Sequence, residues 1–215
     1  MKKHFLISLV LSLLALTASL MLYAELPNQL PTHWNFNGEI DSYGHKSWAA
    51  FLMPGIMLAI SFIIFGALPR LSPRKFEVES FRSTYGLISV LTIALLGYIH
   101  GIILWVSLDQ TMEVGRVLVG GIMIFFIVMG NYMGKVRRNF WMGIRTPWTL
   151  ASERVWNETH RIGAWSFVGA GILGFAFILA NLPLESVIGI MIAGAFIPII
   201  YSLVRYLQLK DLGEL

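Results

Sequence analysis

The sequence predicts an all-α integral membrane protein. It has six transmembrane helices with both termini on the cytoplasmic side, a 25-residue outer cap loop and an inner interfacial amphipathic helix. Three observations predict this. First, apolar residues make up 56% of the 215 residues and charged residues only 13%, with a mean hydropathy of +0.70. A soluble domain is nearer half apolar and one quarter charged. Second, the apolar residues gather in six runs. Each is long enough to cross roughly 30 Å of hydrocarbon, and a helix satisfies its own backbone there as an isolated strand does not. Third, all but two of the 16 Lys and Arg residues flank the runs on one side. Lys2, Lys3, Arg70, Arg74, Lys75, Arg82, Lys135, Arg137, Arg138, Arg145, Arg154, Arg161, Arg205 and Lys210 stand against Lys46 and Arg116, and the excess marks the cytoplasmic side.

The elements follow in order. Phe5–Tyr23 is the first span. A basic start and Ala24 at its end resemble a signal peptide, but the apolar stretch is long for one and no A-x-A site follows, so it is expected to remain as a helix. Ala24–Trp48 then forms the outer cap. Pro27 and Pro31 forbid a regular helix, and Asn37-Gly38 is a tight-turn signal between "HWNF" and "EIDSY", which predicts a short hairpin. Trp34, Tyr43 and Trp48 suit the headgroup layer.

Ala49–Leu68 is the second span and Pro69–Thr84 a basic cytoplasmic loop suited to anionic lipid. Tyr85–Leu108 and Val117–Met133 are the third and fourth spans, joined by the short loop Asp109–Arg116. Ile162–Ala180 and Val187–Leu207 are the last two, with Leu182–Ser186 turning the chain between them. Pro54 and Pro198 lie inside spans, where kinks are expected. Gly120, Gly121, Gly169, Gly171 and Gly174 permit close helix approach. His100 and Asn131 are polar groups within spans, suited to bonds across helices or to a pathway.

One stretch is too charged to span and too apolar for a free linker: "RNFWMGIRTPWTLASERVWNETHRIG", Arg138–Gly163. Gly143 breaks the approach. Thr146-Pro147 reads as an N-cap followed by Pro at the first helical position. From Pro147 the segment reads as one amphipathic helix as far as Gly163, lying along the inner interface. Trp148, Ser152, Trp156 and Thr159 fall on one face. Glu153, Asn157, His160 and Arg161 form a polar stripe, and Glu158 is placed to pair with Arg154 or Arg161.

Chemistry is sparse. The absence of cysteine removes disulfides and thiolate metal sites. His33, Glu39, Asp41 and His45 offer nitrogen and oxygen ligands, yet their spacing matches no ligand motif, so no metal and no cofactor is expected. Glu153 and His160 stand almost two turns apart, about 10 Å, with no nucleophile beside them, so an enzyme is not expected. A membrane metalloenzyme and a small transporter or exporter stand as alternatives. A proton-coupled relay has almost no intramembrane charge to use. The net charge of +4 reflects the loop bias and implies no direct contact with nucleic acid.

Two stretches carry a resemblance. "GNYMGKVRRNFWMGIRTPWTLASERVWNETHRIGA" (Gly130–Ala164), with its odd octet G-I-R-T-P-W-T-L, resembles the SdpI family of bacterial membrane proteins. The Leu-Pro, Pro-x-His-Trp-Asn, Gly, Asp and Tyr-Gly-x-Lys series across Leu26–Lys46 resembles a domain of unknown function often joined to it on the N-terminal side. The resemblance implies two regions, 1–110 with the outer loop and 111–215 with the Arg-Thr-Pro-Trp segment. It also implies immunity to a secreted peptide toxin, and a receptor role in which a cytoplasmic transcriptional repressor is held at the membrane. The expected partners are thus the toxin outside, the repressor inside, and membrane lipid. On this reading the toxin meets Pro31, His33, Trp34, Asn35, Gly38 and Asp41. The inner partner meets Asn131, Gly143, Arg145, Thr146, Pro147, Trp148, Glu153, Trp156, His160 and Arg161. Arg145 leads this set, because a lysine does not reproduce its planar fork.

Overall fold

The structure, a computed structural model, describes residues 1–73, 78–109 and 113–214. The cations Arg74 and Lys75 and residues 110–112 of the loop after the third span lie outside the described residues.

Among the described residues, six helical rods are long and apolar enough to cross a membrane: Lys2–Leu22, Lys46–Leu71, Val78–Leu108, Val114–Met133, Glu153–Leu179 and Leu184–Asp211. The first is α1 (Lys2–Leu22). The second is α2 (Lys46–Phe62), which runs through a π-turn, Ile63–Ala67, into the short α3 (Leu68–Leu71). The third is α4 (Arg82–Leu108), preceded by a 3₁₀ turn, Val78–Phe81. The fourth is α5 (Val114–Met133). After α6 (Pro147–Ala151) come α7 (Glu153–Leu179) and α8 (Leu184–Asp211). Helices α1, α2 and α4 pack as one group and α5, α7 and α8 as another, with α4 and α5 joining them.

The helices are apolar on the outside and small or weakly polar on the inside. On α1 the buried residues are Ser8, Ser12, Ala15 and Ser19, while Leu6, Val10, Leu14 and Met21 are exposed. That inversion suits a helix whose outer solvent is hydrocarbon and whose packing depends on close approach. Four buried hydroxyls return to their own helix: Ser12, Ser61, Ser89 and Ser107 each donate to the carbonyl four residues earlier, which satisfies them without a partner helix. Ser19 reaches further. Its Oγ donates to the Ala50 carbonyl at 2.6 Å and stands 2.9 Å from His100 Nε2. With its one proton so placed, Ser19 accepts from His100, and α1, α2 and α4 are tied together. Thus His100 bonds across helices, whereas Asn131 donates to Ile127 on its own helix at 2.8 Å. Of the five glycines expected to allow close approach, Gly121 does so against the Tyr98 ring of α4, and Gly171 and Gly174 against Met123. Gly169 faces open space.

Contacts sort the rod ends into two sets. At one end Met1 packs against a buried cluster that includes Val78, Phe81, Tyr85 and Trp156, and the Trp141 indole donates to Ser72 at 2.6 Å. Arg154 pairs there with Glu214 near the C-terminus. We call this the terminal end. At the other, the hairpin end, strands β1 (Gln29–Trp34) and β2 (Ile40–His45) pair antiparallel. Lys46 Nζ donates to the Leu26 carbonyl at 2.9 Å, tying the hairpin's base to the exit of α1.

The segment from Pro147 to Gly163 corrects the sequence reading. It is not one interfacial helix. The helix breaks at Ser152, which adopts extended torsions, and nothing breaks at Gly163. Ser152 Oγ accepts from the Val155 amide at 3.4 Å, and Arg138 Nη1 donates to the Leu150 and Ala151 carbonyls left open at the end of α6. A serine N-cap followed by Glu153 in the first turn is a helix start. Residues 153–163 are therefore the first turns of the fifth rod.

Candidate functional site

At the hairpin end the turn is built by Asn35. Its Oδ1 accepts from the amides of Asn37 and Glu39 at 2.9 and 3.0 Å, and its Nδ2 donates to Glu39 Oε2 at 3.0 Å. Gly38 takes φ +81°, a torsion open to glycine. The hairpin bridges both helix groups. Leu30, fully buried, packs with Leu26, Ala49, Ala50 and Leu104. At the tip, a Cβ on Gly38 would stand 2.8 Å from both Gly115 Cα and Leu184 Cδ2. Glycine on both sides lets the tip rest on the starts of α5 and α8.

Two clefts flank that contact. The larger, about 620 Å³, is lined by Pro31 and Gly38 of the hairpin, by Val106 and Ser107 of α4, and by Gly115 and Leu184. Glu39, Glu113, Arg116 and Glu185 stand around it. Arg116 Nε pairs with Glu113 at 3.1 Å, and its Nη1 donates to the Leu182 carbonyl at 3.1 Å. The smaller, about 260 Å³, is mostly apolar; His33, Trp34, Asn35 and Gly38 line it opposite Leu118, Val119, Ile188 and Met191. The Trp34 Nε1 is buried with no hydrogen-bond partner among the described residues. Asp41 lines neither cleft and instead meets His33 Nδ1 at 2.6 Å. His45 turns away to accept from the Ser47 amide at the start of α2. The quartet His33, Glu39, Asp41 and His45 is thus not assembled, and no three His, Asp or Glu residues gather among the described residues.

At the terminal end, residues 134–146 are knotted onto α7. Trp156 is fully buried, and its Nε1 donates to the Val136 carbonyl at 2.7 Å. Its ring stacks on His160 at 4.1 Å and 20°. His160 Nδ1 faces the Trp156 carbonyl at 2.8 Å, and its Nε2 faces the Ile144 amide at 3.0 Å. A carbonyl only accepts and an amide only donates, so the ring is held neutral with its proton on Nδ1. Gly143, at φ +104°, makes room for it: a Cβ there would collide with His160 Nε2. Asn139, fully buried, supplies the loop's other anchor. It donates to the Arg137 and Met142 carbonyls at 2.8 and 2.9 Å and accepts from the Trp141 and Met142 amides, both at 2.7 Å.

Thr146 and Thr149 cap α6 reciprocally, with Pro147 following the cap. The Trp148 indole donates to Ser202 on α8. Beside the knot, Glu158 joins Arg154 at 3.2 Å and Arg205 of α8, and the structure gives it no bond to Arg161. Arg145 spends one guanidinium donor on the Phe140 carbonyl and remains exposed.

Of the expected inner residues, Gly143, Arg145, Thr146, Pro147, Trp148, Trp156 and His160 are thus gathered into one unit. Asn131, Glu153 and Arg161 are exposed beside it. Sequence reasoning missed Asn139, Val136 and Ser202. It also missed Gly115 and Leu184, which no local signal couples to the hairpin.

Residues 135–204 match the SdpI/YfhL protein family, and residues 10–58 match a domain of unknown function, DUF1648. The chain is 31% identical over 217 residues to the "Immunity protein SdpI" of Bacillus subtilis (strain 168), an alignment covering 99% of each. No solved structure matches.

Proposed function

We propose, for a chain that belongs to the SdpI/YfhL protein family and is a multi-pass protein of the cell membrane, that its work is immunity to a secreted peptide toxin. The observation that carries the reading is the end-to-end likeness to a relative named as an immunity protein. The hairpin end supports it. Its larger cleft has the size of a ligand site and mixes carboxylates with an apolar floor. The smaller cleft sets Trp34 opposite an apolar wall of α5 and α8. A toxin segment lying under the hairpin would touch Pro31, His33, Trp34, Asn35 and Gly38, with Asp41 holding His33 from behind.

The Lys and Arg bias supports a hairpin end outside the cell and a terminal end in the cytoplasm. The terminal end then presents Arg145, Glu153 and Arg161 to a cytoplasmic partner, which we take to be a transcriptional repressor. The region 1–110 on this reading supplies the outer loop, and 111–215 the inner docking unit.

The chain has no cysteine, so single cysteines report its orientation. A cysteine replacing Phe36 is expected to react with a membrane-impermeant thiol reagent in intact cells, and one replacing Arg145 only after lysis. The reverse pattern would overturn the assignment of faces. In a sensitive host challenged with the secreted peptide toxin, the parent chain is expected to restore growth. Arg145→Ala should leave insertion intact and weaken partner retention about tenfold or more, as loss of a charge-assisted contact implies. Full protection together with full retention in that variant would remove Arg145 from the site.

A further inference from the structure

The start of α1 and the segment from the end of α2 to α3 line a cavity of about 260 Å³ at the terminal end, sharing no lining residue with the hairpin clefts. Its lining is graded. Lys2 and Arg70 stand at the rim, and none of the described residues lining it is acidic. Lys2 has no ion-pair or hydrogen-bond partner among the described residues. Arg70 spends one donor on the Gly66 carbonyl and leaves the rest of its fork exposed.

About one helical turn deeper, Phe5 packs against Phe62 at 5.5 Å and Phe65 at 5.8 Å between ring centroids. Between rim and rings lies Gly66, where an added Cβ would meet only the Arg70 guanidinium at 3.8 Å. Gly66 sits in the π-turn Ile63–Ala67, a distortion found frequently at functional positions. The cavity therefore offers cations that no described residue neutralises at the membrane boundary and an aromatic wall on the hydrocarbon side.

That grading selects one kind of occupant. A free anion has no use for the rings, and an uncharged lipid has none for the cations. We propose that this cavity binds one anionic phospholipid, its phosphate held by Lys2 and Arg70 and its acyl chain laid along Phe5, Phe62 and Phe65. The site does not depend on the immunity reading. It fastens the first two rods of the bundle to the leaflet that surrounds the terminal end.

Native mass spectrometry of the full chain in detergent tests this, with phosphatidylglycerol or phosphatidylcholine added. Phosphatidylglycerol is expected to be retained over phosphatidylcholine, and excess inorganic phosphate should not displace it. Arg70→Gln should lower its retention about fivefold, as removal of one membrane-facing cation implies. Gly66→Leu should lower it with both cations intact, by filling the cavity. Circular dichroism confirms that each variant is folded; Arg70 is exposed, so its variant carries the test if Gly66→Leu does not fold. Equal retention of the two lipids, displacement by phosphate alone, or unchanged retention in either folded variant overturns the proposal.

Discussion

Replacing Trp156 by alanine is expected to destabilise the protein by about 3–5 kcal/mol, the range for truncating a buried aromatic, and to abolish protection. Trp156 joins the knot to both helix groups. Its ring packs with Val78, Phe81, Tyr85 and Ile88 at the start of the third rod, its indole N–H satisfies the Val136 carbonyl, and its face supports His160. Alanine removes all three, leaving a cavity, an unpaired carbonyl and an unsupported imidazole. The loosened imidazole in turn frees the Ile144 amide, and with it the approach to Arg145.

Trp156→Phe separates these effects. It keeps most of the packing and loses the indole donor, which is worth about 1–3 kcal/mol when a buried partner is left unpaired. Thermal unfolding in detergent should place the phenylalanine variant between parent and alanine variant. Arg145→Ala, which touches an exposed side chain, should unfold with the parent. An alanine variant that melted with the parent would show that the knot does not hold the terminal end together.

The sequence made the coarse architecture legible because hydrocarbon imposes it: a run of some twenty apolar residues has few ways to exist in a bilayer other than as a helix. The hairpin was legible from Asn37-Gly38, since a tight turn is a local event. The helix break at Ser152 was masked by amphipathic periodicity that continues on both sides of it, although the Ser-Glu pair is itself a start signal. Asn139 was invisible for a different reason. Its four hydrogen bonds are made within the loop 137–142, and a buried asparagine in a basic loop looks like a solvated one until the fold covers it. The Gly38–Gly115 contact joins residues far apart in sequence, and either glycine alone reads only as a turn or a helix start.

That contact sets the second large effect. Gly115→Val is expected to cut protection about tenfold or more while leaving the Trp156 knot intact. A Cβ on Gly115 would stand 2.6 Å from Gly38 Cα and 3.0 Å from Gly38 O. Both are backbone atoms, so no side-chain rotation relieves the clash and the hairpin tip must lift. Both clefts share Gly38, Gly115 and Leu184, so lifting the tip opens them together and separates the hairpin from the apolar wall of α5 and α8. A loss of only about 1.4 kcal/mol in toxin binding is enough for the tenfold effect.

Gly38→Ala should act the same way from the other side. It meets the same backbone and adds the strain of a positive φ, about 1–2 kcal/mol for a residue with a Cβ. Gly55→Ala, whose Cβ would face open space, is the control and should protect as the parent does. Survival under toxin challenge reads the effect, and the labelling rate of a cysteine in place of Phe36 reads the lifting of the tip. If Gly115→Val protected fully and left that rate unchanged, the tip would not be resting on α5, and the clefts beneath it would lose their claim to be where the toxin binds.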